Sequence, residues 1–204
     1  TKKKRGRVIA SNNSLTKQVI DQLPYSLTSA QLRSIDEIKK DMAEPSAMMR
    51  LLQGDVGSGK TVVALIAMLV AVENKKQAAI LAPTEILARQ HYQSLTEMTD
   101  GLGIKVAILT GRDKGKAREA LLADLAAGEI DILIGTHAIF QKDVVYNDLA
   151  LAVIDEQHRF GVEQRLSLSA KGKAGIGMDI LAMTATPIPR TLTLTVYGDM
   201  DVSR

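Results

Sequence analysis

Residues 54–61 read Gly54-Asp55-Val56-Gly57-Ser58-Gly59-Lys60-Thr61, behind the apolar run Met48-Met49-Arg50-Leu51-Leu52. The glycines allow backbone conformations that a Cβ would forbid, so successive N–H groups can turn onto phosphate oxygens. A helix starting near Lys60 adds the positive end of its dipole to the same anion site. Lys60 is placed to reach the β- and γ-phosphates, and the Thr61 hydroxyl to sit on Mg²⁺. Further on, Leu151-Ala152-Val153-Ile154-Asp155-Glu156-Gln157-His158 is a buried-strand pattern ending in adjacent carboxylates. Asp155 should emerge at the carboxyl end of a parallel strand, where α/β proteins bind ligands, and hold Mg²⁺ through water. Glu156 is the candidate general base on the attacking water. The chemistry expected is hydrolysis of ATP with Mg²⁺. A GTPase base reader, Asn-Lys-x-Asp, is missing: Asn74-Lys75-Lys76-Gln77 lacks the Asp. The Leu-Ser-Gly-Gly-Gln signature of transporter ATPases does not occur either.

The elements that must position these residues alternate. Apolar runs at Ala78–Leu81, Val106–Leu109, Ile130–Ile134, Leu151–Ile154 and Ile180–Met183 read as short strands. Helical segments fall near 60–73, 85–98 and 113–127, the last stopped by Gly128. Another helix, with Leu32, Ile35 and Ile38 on one face, is capped by Thr28 or Ser29. The alternation predicts an α/β fold, a mostly parallel central sheet with helices on both faces. Residues 1–23 read as a basic linker from a preceding domain, with a short helix over 14–23 broken by Pro24, and 24–204 as the ATP-binding domain.

With 204 residues, 46% of them hydrophobic, the chain can bury a sizeable core. The apolar stretch 62–72 is too short to span a bilayer. The absence of cysteine excludes disulfides and Cys-ligated metal and fits a cytoplasmic setting. The net charge of +3 is uneven, because Lys2, Lys3, Lys4, Arg5 and Arg7 supply five of the 26 basic residues. Without them 21 basic residues face 23 acidic ones, so the remainder is not a basic module. The cluster itself reads equally as a phosphate-contacting arm or a solvated linker. Two Phe, four Tyr and no Trp are too few for base-stacking platforms, so any nucleic-acid contact should be to the backbone. His91, His137 and His158 lack metal-ligand company, and His91 reads as a helix-surface residue.

The order Gly54–Thr61, Asp155–His158, Thr184-Ala185-Thr186 resembles the first motor lobe of a superfamily 2 helicase, with its RecA-like P-loop NTPase fold. Gln31 is similar to the glutamine that reads adenine in that superfamily. Pro83-Thr84 with Arg89 resembles motif Ia, Thr110-Gly111 the Thr-Gly step and Gly135-Thr136-His137 motif Ib. The resemblance implies that these residues contact DNA, at strand ends where N–H groups and hydroxyls grip phosphates. Arg89 alone reads as well as a surface ion pair. Thr184 and Thr186 resemble the motif coupling the γ-phosphate to DNA, with Gln157 and His158 as partners and His158 as relay.

Within the superfamily, Leu51–Thr61, Ile154–Val162 and Thr184–Leu192 are similar to the RecG family. The translocase lobe of the transcription-repair coupling factor is the alternative. It typically carries Cys at the position of Gln53, Tyr at Ser58 and Glu-Gln at Gln157-His158. The RecG resemblance implies remodelling of stalled forks and Holliday junctions. It also implies two partners within the same protein, a DNA-binding wedge and a second RecA-like lobe supplying an arginine finger. Residues 1–204 alone are then expected to turn over little ATP.

Overall fold

The computed structural model describes residues 8–45, 47–54, 59–155, 178–184 and 201–203. Among them the chain forms, in order, α1 (Thr16–Gln22), α2 (Ser29–Ala43), β1 (Met49–Gln53), α3 (Lys60–Glu73), β2 (Gln77–Leu81), α4 (Glu85–Met98), β3 (Val106–Leu109), α5 (Gly115–Ala126), β4 (Ile132–Gly135), β5 (Leu149–Asp155), β6 (Asp179–Thr184) and β7 (Asp201–Ser203), with a 3₁₀ turn at His137–Phe140.

The strands lie in the order β3-β4-β2-β5-β6-β1-β7, and every described pairing is parallel. From β1 the chain moves across the sheet to β2 and β3, then returns through β4, β5 and β6. Right-handed crossovers therefore put α3 and α4 on one face and α5 on the other. The cores follow that division. Leu52, Ala78, Ile80, Ile132, Ile134, Leu151, Val153, Leu181 and Met183 pack with α2, α3 and α4. Their strand neighbours Leu51, Ala79, Leu81, Leu133, Ala152, Ile154, Ile180 and Ala182 pack with Leu125 of α5, Ile139 and Tyr146. Alternation with period 2, on strands buried on both faces, yields two cores from near-continuous apolar runs.

Helix α3 is the most buried helix, with every residue from Val62 to Ala71 inside. Both α3 and α4 begin and end where the sequence places them. Helix α5 ends at Ala126, and Gly128 at φ +81° supplies the left-handed stop, with Glu129 N–H donating to Asp124 O. Strand β4 begins two residues later than the apolar run, because the Ile130 carbonyl accepts from Gln77 Nε2 rather than from a strand.

Residues 8–22 are packed on this core. Ile9 and Val19 are buried, and Ile9 N–H donates to Met42 O at 2.7 Å. The Glu73 carboxylate, at the end of α3, accepts from Ser11 Oγ, Leu15 N–H, Thr16 N–H and Thr16 Oγ1. It satisfies donors at the start of α1, which has no side-chain cap of its own. The basic cluster at 2–7 lies outside the described residues.

Candidate functional site

All the expected site residues that the structure describes, apart from Gln31 and Arg89 within helices and Lys60 and Thr61 in the first turn of α3, lie at or just beyond the carboxyl ends of the strands. They divide along that edge. Strands β1, β6 and β5 carry Gly54, Thr184 and Asp155 side by side, and β2, β4 and β3 carry Pro83-Thr84, Gly135-Thr136 and Thr110-Gly111.

On the first half, Gly54 N–H donates to Thr184 O at 3.2 Å, tying the phosphate loop to the end of β6. Lys60 opens α3, and its Nζ donates to Gly54 O at 2.7 Å, across the span of the loop. Gly59, the residue before α3, sits at φ +79°, and a Cβ there would overlap Gln31 Nε2. Glycine is therefore required twice over, for its conformation and for the close approach. Asp55, Val56, Gly57 and Ser58 lie outside the described residues, as do Glu156, Gln157, His158 and Thr186.

The Gln31 side chain is fixed by the start of its own helix. Thr28 caps α2: its side chain accepts from Gln31 N–H, and Gln31 Oε1 accepts from Thr28 N–H at 2.8 Å. This leaves Nε2 directed at Gly59 O, 3.5 Å away. Between α1 and α2, a groove of about 500 Å³ is lined by Leu23, Pro24, Tyr25, Leu27 and Leu32 among others. Tyr25 and Leu32 are both exposed there. Arg50 on β1 fixes α2 in place: Nη1 lies 2.9 Å from Glu37 Oε2 and Nη2 2.8 Å from Asp41 Oδ2.

Asp155 ends β5 with the parity of Leu151 and Val153, so its side chain faces α3 and α4. There it meets His91. The His91 Nε2 to Asp155 Oδ2 distance is 2.7 Å, with side chains 12% and 14% exposed. With a carboxylate as acceptor, Nε2 is the protonated nitrogen. This corrects the reading of His91 as a surface residue. The missed signal was helical: Ala88 and Leu95 are the buried residues of α4, and His91 lies between them at i+3 on the same stripe.

Asp155 and Thr61 offer hard oxygen donors that suit Mg²⁺. No cluster of three or more His, Cys, Asp or Glu side chains that could cage a metal exists among the described residues.

On the second half, Thr84 caps α4, its Oγ1 accepting from Leu87 N–H. Pro83 and Thr84 are exposed. Arg89, also exposed, pairs with Glu85 at 2.9 Å, and Glu85 reaches Arg112 at 3.1 Å. The ion pair and the phosphate contact are thus not exclusive alternatives, because the guanidinium remains at the surface. Thr110 is buried and turned into its own loop, with its N–H and Oγ1 both on Asp113 Oδ2. Gly111 and His137 are exposed, Thr136 half-buried. Gly135 is buried, and its missing Cβ has a structural cause: the space is filled by the Leu109 carbonyl and the Ile139 side chain. The following turn is anchored by Tyr146, whose hydroxyl donates to Ile139 O at 2.9 Å, and burial raises its pKa. Ala82 N–H donates to Gly135 O at 2.8 Å, coupling the ends of β2 and β4.

A model of the DEAD/DEAH box helicase family matches residues 28–195. The ATP-dependent DNA helicase RecG of Bacillus subtilis is 55% identical over 193 residues, covering 95% of this chain and 28% of the relative. RecG of Pasteurella multocida is 51% identical over 196 residues, covering 96% and 28%. The chain thus spans a little over a quarter of the length of these curated relatives. A solved structure of RecG bound to a three-way DNA junction superposes with a TM-score of 0.86 at 44% identity, covering 97% of this chain and 26% of that one. The DEAD-box helicase Mss116 bound to ssRNA shares the fold at a TM-score of 0.70 and 20% identity. These matches do not favour the coupling-factor alternative. A single sheet edge carries the phosphate-loop helix at one end and the strand-end loops at the other, and the chain belongs to the DEAD/DEAH box helicases, as an ATP-binding motor lobe of the RecG kind.

Proposed function

We propose that this lobe belongs to a DNA translocase that uses MgATP hydrolysis to remodel branched duplex DNA, migrating Holliday junctions and regressing stalled forks. The observation that carries the reading is the division of the sheet edge. Nucleotide groups on β1, β5 and β6 adjoin loops on β2, β3 and β4 that can grip a phosphate backbone. The similarity to RecG supports branched DNA as the substrate.

In this mechanism Gly54–Thr61 wrap the phosphates, Lys60 leaves Gly54 O for the β- and γ-phosphates, and Gln31 reads the adenine edge. Thr61 and Asp155 hold the metal, which screens phosphate charge when bound. Glu156 takes a proton from the attacking water. Thr184 and Thr186, with Gln157 and His158, pass the state of the γ-phosphate to the DNA loops. Pro83, Thr84, Arg89, Thr110, Gly111, Gly135, Thr136 and His137 form the DNA edge. The basic N-terminal segment, residues 1–23, connects to a DNA-binding wedge. Anchoring of residues 9–22 on the end of α3 supports a connection that carries force. A second RecA-like lobe brings the arginines that stabilise transition-state charge, a contribution of ~10³–10⁵ in rate for related NTPases.

The test uses the full-length protein. Forked duplex is expected to stimulate ATP turnover well above linear duplex, and Glu156→Gln to abolish turnover while retaining nucleotide binding. Equal stimulation by linear and forked duplex would remove the branched-substrate reading. Strong DNA-stimulated turnover by residues 1–204 alone would remove the two-lobe reading.

A further inference from the structure

We infer that His91 is a positioning residue: it holds the Asp155 carboxylate for the metal and makes α4 the physical link between the DNA edge and the nucleotide site. The inference deepens the proposed function and rests on it.

The geometry is specific. Asp155 has two oxygens, and Oδ2 is taken by His91 Nε2 at 2.7 Å. That contact fixes the plane of the carboxylate and, among the described residues, leaves Oδ1 for the metal or its water. A carboxylate at a strand end could otherwise rotate about its side-chain torsions, and a metal ligand that is free to rotate must be ordered at each binding event. Both side chains are largely removed from water, so the charge-assisted bond is stronger than an exposed one.

The second half of the inference concerns α4. Its N-cap is Thr84, at the exposed end of β2, and its first turn holds Glu85, which joins Arg89 and Arg112. His91 lies two turns down the same helix, about 10 Å along the axis. A rigid-body shift of α4 on DNA engagement therefore moves the His91 ring against Asp155, and a shift of Asp155 on metal binding is felt at Thr84 and Glu85. Ala88 and Leu95, both buried, bracket His91 on the packed face of α4. Coupling of this kind must be reciprocal: whatever DNA does to metal–nucleotide affinity, metal–nucleotide does to DNA affinity.

The experiment compares full-length wild type with His91→Ala and His91→Gln, whose amide places a donor near the position of Nε2. Binding of a fluorescent ADP analogue is titrated with Mg²⁺ without turnover, and forked-duplex affinity is measured with and without MgADP. Melting temperature reports folding. His91→Ala is expected to raise the half-saturating Mg²⁺ about tenfold or more, in the range found for outer partners of metal ligands. It should also shrink the effect of MgADP on DNA affinity, while His91→Gln restores most of both. Unchanged Mg²⁺ half-saturation in His91→Ala overturns the inference. So does an equal loss in both variants, which would mark a packing role. Should His91→Ala fail to fold, His91→Leu, which fills the space without a donor, takes its place: a loss there that His91→Gln restores sustains the inference, and unchanged Mg²⁺ half-saturation overturns it. A wild type whose nucleotide binding ignores Mg²⁺ would overturn the proposed function itself, and this inference with it.

Discussion

Gly135 and Gly111 stand on the same edge of the sheet, and the structure predicts opposite consequences for the same substitution. A Cβ on Gly135 would fall inside contact distance of the Leu109 carbonyl oxygen and of Ile139 Cγ2. The first neighbour is backbone, held in the β3–β4 ladder where Leu109 pairs with Gly135, and it cannot swing aside as a side-chain tip can. The second belongs to the turn that Tyr146 anchors. Gly135→Ala must therefore part the ends of β3 and β4, and a cost of about 1–3 kcal/mol is expected, as for overpacking of a close-packed core. Gly111 has nothing within 4 Å of its would-be Cβ and no positive φ, so Gly111→Ala should stay within about 0.5 kcal/mol of wild type. Urea unfolding of the 204-residue chain, followed by far-UV circular dichroism, separates the two. A Gly135→Ala variant as stable as wild type, or a Gly111→Ala variant destabilised equally, would refute the reasoning.

Three further outcomes are expected. Arg50, with a side chain 9% exposed, bridges Glu37 and Asp41, which are partly exposed and can rehydrate. Arg50→Met should accordingly cost about 2–3 kcal/mol in the same assay, below the range for fully buried pairs, and a loss under 0.5 kcal/mol would contradict it. Removing the four acceptor contacts of Glu73 by Glu73→Ala should cost about 1–3 kcal/mol and speed hydrogen exchange at Leu15 and Thr16 more than in α3; uniform exchange changes would argue against a local clamp. Tyr146 has a raised pKa from burial, so above the ordinary tyrosine value near pH 10 the folded state binds more protons than the unfolded one, and stability falls as pH rises. Tyr146→Phe should cost about 1 kcal/mol at neutral pH and lessen that alkaline loss, and identical alkaline profiles would count against it.

Local signals carried much of this molecule. The unbroken apolar run 62–70 behind the glycine-rich loop placed α3, and Gly128 placed the end of α5. The strand order was beyond local signals, because parallel strands buried on both faces present apolar runs without a polar side to orient them. Contacts between distant residues were equally hidden. Arg50 looked like an interruption in an apolar run until α2 supplied two carboxylates, and Ile9 gave no periodic pattern although Met42 and α3 bury it. His91 was different, for its stripe with Ala88 and Leu95 was visible in the sequence. The parity of Asp155 with Leu151 and Val153 was visible too. Only the crossover handedness, which brings α3 and α4 to one face, joined them.

The central claim, that one sheet edge carries nucleotide on β1, β5 and β6 and DNA on β2, β3 and β4, is tested most directly by hydrogen exchange of the full-length protein with each ligand alone. Forked duplex should slow exchange around Thr84–Leu87, Thr110–Asp113 and Thr136–Ile139, whereas MgADP should slow it around Gly54 and Gly59–Val63. Protection by DNA that falls on the nucleotide half, or that misses all three strand-end loops, would contradict the account.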